Sequence, residues 1–503
     1  MKKSTKIILF TVLTVVLLWQ LWIALYFMTE EPRYAHNSRD NSRVNPHHDV
    51  VLSSKDALED VEKFAFDLTH YHPKPFAFIS EEQFNRQIEK NKEAIAQNET
   101  ITTLDLSLML SELTGLISDS HTSVEIAKIV QRYALPVDVV YVDGRFFNIR
   151  QEGEIPYMAE IVSVNSMDSE TLYDLVGKYI NTPTKSGIDR FVERNFSNYI
   201  PLILGYEADY KVSYKDDEKI STIPVELERF YEKKRFNGRI NDYVFEYNDL
   251  SIPVLELNSF SGDNDELNVY MKTVDTFFQE NKDAKQIAID IRNNGGGSDG
   301  WGRYVLNYFL GDTYKGYDHF DIYVTDYTRA YYTYQYQMQF YRLKIPSIFW
   351  SIALNIIPDC KLYRDILNAE DGEVISVGEM VFSNPVQSEK RYKGKAFLLT
   401  SGETGSAAIG MASLFKHNDK NGCIVGQETN HPESFAGNFS VYTLPHSGVG
   451  YSLPCSYSIA PDGAEDERGV IPDYEVKRTL DAFEDGRDPE LEFILTALNQ
   501  TEI

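Results

Sequence analysis

The chain has 503 residues, enough for two or three domains, with an ordinary globular balance of 43% hydrophobic and 25% charged residues. Its formal net charge of −27 excludes the basic footprint that a nucleic-acid partner requires, and it disfavours docking on anionic lipid headgroups. The three cysteines, Cys360, Cys423 and Cys455, include no CxxC pair, which excludes a zinc knuckle, a thioredoxin-type centre and a disulfide framework, although a single bond is possible.

In chain order, Lys2, Lys3 and Lys6 precede Ile7–Met28, an uncharged apolar run long enough to span a bilayer as a helix. Bulky residues before Thr29 offer no cleavage site. An uncleaved membrane anchor is therefore expected over 1–30, with the lysines in the cytoplasm and the rest of the chain outside the cell. Residues 31–50 read as a polar tether; its His36, His47 and His48 are more often incidental than metal-binding, and no metal is expected. Helical spacing of Leu58, Val61, Phe64 and Leu68, then of Phe84 and Ile88 behind a Ser80 cap, then of Leu104, Leu108 and Leu113, predicts three helices. This region, 51–128, ends in the loop Ser118–Ile126, which holds His121.

From Leu135 the period shifts to strands. LPVDVVYVDGRFFNI, with its DG turn, reads as a hairpin; a strand, a helix and a second hairpin complete a small mixed module over 129–235. Residues 240–480 alternate strands and helices in the manner of a parallel α/β sheet: IPVLELNSF, a helix over Asp263–Asn281, QIAIDI, the glycine loop Arg292–Gly300, the helix WGRYVLNYFL, and the strand–loop–helix–strand of Lys395–Gly426. A tyrosine-rich insertion, 314–371, interrupts them. Its apolar part, Ile345–Pro358, is too short to span a membrane and reads as a packed helical insertion. Residues 481–503 form a helical tail.

Two features carry chemistry. Ser406 sits where a loop turns into a helix, and it reads either as an N-cap or as a hydroxyl held beside unpaired backbone N–H groups that can stabilise an oxyanion. The run RNNGGGSDG lets backbone approach a ligand closely. It matches neither GxxxxGK[ST] nor GxGxxG, so nucleotide binding is weakly supported, and half of an oxyanion hole, with the Ala407 N–H as the other half, fits better.

Taken in order, IAIDIRNNGGG, TGSAAIGMASLFK, CIVGQET and ERGVIPDYEV resemble the tail-specific (C-terminal processing) serine peptidase family, which includes the tricorn core peptidase and interphotoreceptor retinoid-binding protein modules. The resemblance runs from about Leu104 to Val476. It implies a crotonase-like (ClpP/crotonase) α/β catalytic domain, Ser406 as nucleophile, oxyanion N–H groups from Gly296, Gly297 and Ala407, and no cofactor. The middle module lies where relatives often carry a PDZ-like segment, but it shows no GLGF-type carboxylate-binding loop.

One form of the family uses a Ser–Lys dyad. No lysine occurs between Asn421 and Val476, and Lys416 and Lys420 lie at or beyond the far end of the helix that Ser406 begins, which excludes the dyad unless Lys477 or a more distant lysine folds back. The other form uses Ser, His and an acid, with the histidine in a D-x-H-[ST] loop. SDSHTSV supplies it, so the resemblance implies His121 as general base. The acid is expected just before Gly469, in AEDERGVIPD. Glu467 is the expected partner, and Asp466 and Glu465 are alternatives. His431, at the spacing of the missing dyad lysine, and His446 are alternative bases or substrate contacts. The chain is thus expected to be a membrane-anchored serine endopeptidase acting on polypeptides. A non-catalytic ligand- or peptide-binding protein on the same fold is the alternative.

Overall fold

The computed structural model describes residues 3–27, 29, 30, 32, 50–126, 133–206, 208–229 and 238–498. Helix α1, Lys3–Phe27, forms where the apolar run is. Among the described residues, however, no helix is long and apolar enough to cross a membrane, so the expected transmembrane helix and membrane partner are corrected. The end of α1 instead packs on protein: Trp22 stacks on Phe349 at 5.5 Å, Tyr26 meets Tyr341 at 6.1 Å, and Thr29 Oγ1 accepts the Ser347 N–H at 3.0 Å. The tether histidines His36, His47 and His48 lie outside the described residues.

Helices α2 (Ser54–Tyr71), α3 (Glu81–Ala96) and α4 (Thr103–Ile117) follow. Their starts are set by side-chain caps: Ser53, Ser80 and Thr102 each accept a backbone N–H of the first turn, and Ser80 and Gln83 form a reciprocal capping box. The middle module is an antiparallel sheet of β1 (Val139–Val142), β2 (Arg145–Asn148), β3 (Glu160–Val164), β4 (Tyr210–Asp216) and β5 (Lys219–Val225), in the order β5-β4-β3-β2-β1. Helices α5 (Ser169–Gly177) and α6 (Lys185–Leu204) pack on it.

The main sheet is built from β6 (Ile240–Tyr247), β7 (Leu250–Leu257), β8 (Gln286–Asp290), β11 (Lys395–Thr400), β12 (Cys423–Gly426) and β15 (Tyr474–Glu475), in that spatial order. Only β6 runs antiparallel to its neighbour. Alternate side chains serve two cores, as strand geometry requires. Ile287, Ile289 and Leu398 pack against α7 (Asn264–Glu280), α8 (Asp299–Leu306) and α12 (Ala407–Asn418); Ala288, Phe397 and Leu399 pack against Leu491, Ile494 and Leu495 of the tail. The insertion folds as helices α9 (Asp326–Arg342), α10 (Trp350–Ile356) and α11 (Lys361–Asn368), which share their own small core around Phe340 and Leu354.

A second sheet, β10-β9-β14-β13, comprises β9 (His319–Tyr323), β10 (Val374–Val377), β13 (Phe435–Thr443) and β14 (Gly450–Ile459). Tyr442, Tyr451 and Leu453 of this sheet join Phe64, Leu68, Leu106 and Leu110 in one core, which fixes the N-terminal helices against the sheet. Asp67, fully buried on α2, accepts from the Tyr451 hydroxyl and from Lys63. Replacing Tyr451 by Phe leaves that carboxylate with one buried partner fewer. The expected loss is about 1–3 kcal/mol of folding free energy, read as a lower urea midpoint at unchanged slope.

Candidate active site

The turn between β11 and α12 carries Ser406 at φ 52°, ψ −123°. A non-glycine residue in that region is strained by about 1–3 kcal/mol and persists only where its surroundings fix it. Here they do. Gly405 N–H donates to Asn294 O at 2.9 Å, Thr404 Oγ1 donates to Ile291 O at 3.0 Å, Ser401 Oγ donates to Arg292 O at 2.6 Å, and Gly410 N–H donates to Ser406 O at 3.0 Å. The Ser406 N–H donates to His431 Nε2 at 2.8 Å. Although Ser406 occupies the N-cap position, its side chain makes no capping hydrogen bond; its Oγ stands 3.0 Å from His121 Nε2.

His121 comes from the loop after α4. Ser118 ends that helix in the left-handed region, φ 56°, and the chain turns through Asp119, whose carboxylate accepts from Thr122 Oγ1 at 2.6 Å. Ser123–Val124 then pairs with Ser452 and Tyr451 of β14, and Ser452 Oγ donates to His121 O at 2.9 Å. The imidazole is buried and lies nearly parallel to the Phe435 ring at 5.8 Å.

The carboxylate nearest this imidazole is Asp119, with Oδ1 3.9 Å from His121 Nδ1. Its Oδ2 lies 3.0 Å from His72 Nε2. His72 Nδ1 accepts the Lys74 N–H at 3.0 Å, so Nε2 carries the hydrogen that Asp119 receives. Burial works against the ionised form of Asp119, but the His121 and His72 imidazoles outweigh it and hold its pKa well below the usual carboxylate range. Neither Asp119 nor His72 was expected from sequence, although Asp119 is the D of the D-x-H-[ST] motif.

The acidic loop is corrected. Glu467 and Asp466 are exposed at the rim of a cleft of about 210 Å³ that also contains Asp119 and His431, and neither forms a hydrogen bond with His121. Glu465 pairs with Lys74. A glutamate in a solvated turn has nothing to hold it against an imidazole; Asp119 is held by its own loop.

The alternative histidines are also placed. His446 lies 2.8 Å from Glu59 on α2, in the N-terminal helical region. His431 is beside Ser406, but both its ring nitrogens are committed: Nε2 accepts the Ser406 N–H, and Nδ1–H donates to Pro432 O at 3.0 Å. Burial first, and then the neighbouring His121, push its pKa down to about 3, so it is neutral and cannot take the Ser406 proton. The segment that carries it is buttressed by the middle module, where Thr184 Oγ1 donates to Thr429 O and Asn430 O at 2.9 and 2.7 Å.

The glycine loop abuts the serine. Gly296 has φ 106°, and a Cβ there would stand 2.7 Å from Ser406 Cβ; Gly297 has φ 133°, and a Cβ there would stand 2.4 Å from Phe260 O. The Gly296 N–H donates to Asn294 Oδ1 at 2.9 Å, which corrects its expected place in the oxyanion hole. The N–H groups of Gly297 and Ala407 have no hydrogen-bond partner among the described residues. The site can therefore present a hydroxyl, an adjacent imidazole and two backbone donors to one carbonyl group. Among the described residues no cluster of His, Cys, Asp and Glu is arranged to hold a metal ion.

Residues 251–476 match the family described as Peptidase family S41. Mature CPAF complexed with lactacystin is similar in structure, with TM-score 0.65 and 14% identity over 88% of this chain and 99% of that one. Mature CPAF alone gives TM-score 0.62 and 15% identity over 90% and 99%. At such identity the likeness is one of fold. No curated protein matches the sequence.

The state of His431 has a measurable consequence. The unfolded chain binds a proton at this residue below about pH 6.5, and the folded chain refuses it until about pH 3. Stability from this group is therefore complete above pH 6.5 and falls by about 1.4 kcal/mol per pH unit through the window. His431→Gln, which retains an acceptor for the Ser406 N–H, is expected to flatten the curve of unfolding free energy against pH between those values.

Proposed function

We propose that this chain is a serine peptidase of family S41, whose model matches residues 251–476, and that it cleaves polypeptides with Ser406 as nucleophile, His121 as general base and Asp119 as the carboxylate that orients His121. The observation that carries the assignment is the 3.0 Å contact between Ser406 Oγ and His121 Nε2, made across 285 positions of sequence. It also speaks against a binding-only role, which needs no imidazole on that hydroxyl.

In the reaction His121 Nε2 takes the Ser406 Oγ proton as the oxygen attacks the scissile carbonyl carbon. The carbonyl oxygen becomes an oxyanion and receives hydrogen bonds from the N–H groups of Ala407 and Gly297. His121 gives its proton to the leaving amine, the C–N bond breaks, and an acyl group remains on Ser406. Water then attacks the ester with His121 again as base, releasing the acid and restoring the hydroxyl. His431 is a positioning residue: it occupies the Ser406 N–H, keeps the strained turn in place, and leaves the oxyanion to the other two donors. Asp119, tied to His72, favours the His121 tautomer with Nδ1 protonated and stabilises the imidazolium as it forms.

Ser406→Ala and His121→Ala are each expected to lower the rate of cleavage of an unfolded test protein by at least about 1,000-fold without loss of folding. Ser406 should also be the residue labelled by a fluorophosphonate. Asp119→Asn should cost about 100-fold or more, and Glu467→Gln should stay within about threefold of wild type. Equal activity of the Ser406 variant would overturn the proposal; a larger loss for Glu467→Gln than for Asp119→Asn would reassign the acid.

A further inference from the structure

Asp119 has a second imidazole bound to it besides His121. His72 ends α2: its N–H donates to Leu68 O at 3.2 Å. Pro73 cannot continue a helix and bars the residue before it from helical dihedrals, and His72 accordingly takes φ −74°, ψ 130°. The chain then turns back, so that the Lys74 N–H reaches His72 Nδ1 at 3.0 Å. The Lys74 side chain is held in turn by Glu465 and lies over the Tyr457 ring at 4.1 Å. The His72 ring is thereby fixed in a buried position with its Nε2–H aimed at Asp119.

The two oxygens of Asp119 are used differently. Oδ2 accepts from His72 Nε2 at 3.0 Å and from Thr122 Oγ1 at 2.6 Å; Oδ1 accepts the His121 N–H at 3.3 Å and faces His121 Nδ1 at 3.9 Å. The bonds from His121 N–H and Thr122 belong to the loop itself, so the carboxylate is held in place without α2. What His72 adds is electrostatic. The positive end of its N–H dipole points at the carboxylate and offsets charge that would otherwise fall on the imidazolium formed in the reaction. The other titratable groups around the pair are Lys74, Glu465, Asp466, Glu467, Tyr457 and His431. The three acids are exposed, Lys74 is paired with Glu465, burial keeps the Tyr457 hydroxyl protonated, and His431 is neutral. His72 is the one among them that donates to Asp119 directly.

We propose that His72 is a positioning residue that acts through Asp119: it takes up part of the carboxylate's charge and so extends to lower pH the range in which His121 is free to act as base. The inference rests on Ser406, His121 and Asp119 having the roles given above. It is tested with the full chain by the pH dependence of kcat/KM for cleavage of an unfolded test protein, whose acid limb reports the general base of the free enzyme.

His72→Asn keeps an oxygen for the Lys74 N–H but is too short to reach Asp119, whereas His72→Gln can place an amide N–H where Nε2–H stands. The acid limb of His72→Asn should lie above that of the wild type by about half a pH unit or more, and that of His72→Gln should return to within about 0.2 pH units of it. His72→Phe, which fills the site with a ring and has no N–H, should move the limb in the same direction as His72→Asn and serves if that variant does not fold. In an Asp119→Asn background neither substitution should move it. A purely structural loss lowers the plateau and leaves the midpoint in place; fluorophosphonate labelling of Ser406 at the plateau counts the folded enzyme. An unmoved or lowered limb in the variants without the N–H, a limb that His72→Gln leaves raised, or a shift that persists in the Asp119→Asn background would overturn the role of His72 alone. Absence of Ser406-dependent cleavage in the wild type would overturn the peptidase reading and this inference with it.

Discussion

The site depends on one strained backbone position. The chain leaves β11 at Thr400, turns through residues 401–405 and enters α12 at Ser406, which takes φ 52° at the helix mouth. The conformation aims Oγ away from its own helix, so the hydroxyl does not cap. Its maintenance is distributed: Asn294 accepts the Gly405 N–H, His431 accepts the Ser406 N–H, and the Gly296 backbone leaves no room for a side chain beside Ser406. The Ser406 and Gly296 N–H groups are occupied, and among the described residues the Ala407 and Gly297 N–H groups have no partner.

His121 reaches this turn through packing of large elements. Helices α2–α4 bury one face against β13 and β14, and Asp67 and Tyr451 tie α2 to that sheet. The loop after α4 is then stitched to β14 by two strand residues and by the bond from Ser452 to the His121 carbonyl. The middle module contributes from the other side, holding residues 428–430 and therefore His431. Three folding units thus converge on one hydroxyl, an arrangement in which a displacement in any of them moves the imidazole or the serine relative to the other.

His431 illustrates how position and role separate. It occupies the place in sequence where relatives of the dyad type carry a lysine base, yet a lysine has no acceptor for the Ser406 N–H. The imidazole works here through its lone pair, which burial keeps unprotonated. Its proximity to the nucleophile would by itself suggest a base; the directions of its two hydrogen bonds say otherwise.

Much of the fold was legible because it is written in local periodicity and turn chemistry. A capping serine marks α3, glycines mark the loop before α8, and the alternation of apolar strands and helices marks the parallel sheet. Ser406, His121, Gly297 and Ala407 can be singled out from sequence because their motifs are short and contiguous. The membrane span was misread from the apolarity of Ile7–Met28, which does not reveal that Trp22 and Tyr26 meet aromatic residues of the insertion more than three hundred positions away. Glu467 was chosen by motif spacing, and a spacing does not report which side of a turn faces water.

What the chain's order of residues determined by itself was therefore the local geometry: a serine at a helix mouth, a glycine loop beside it, a histidine two residues after an aspartate. What only the tertiary structure decided was which of these groups meet, which N–H groups are already taken, and which acid faces the imidazole. The reason is physical. Backbone conformation is governed by neighbours within a few residues, whereas hydrogen-bond partnership and burial are properties of surfaces brought together from distant parts of the chain.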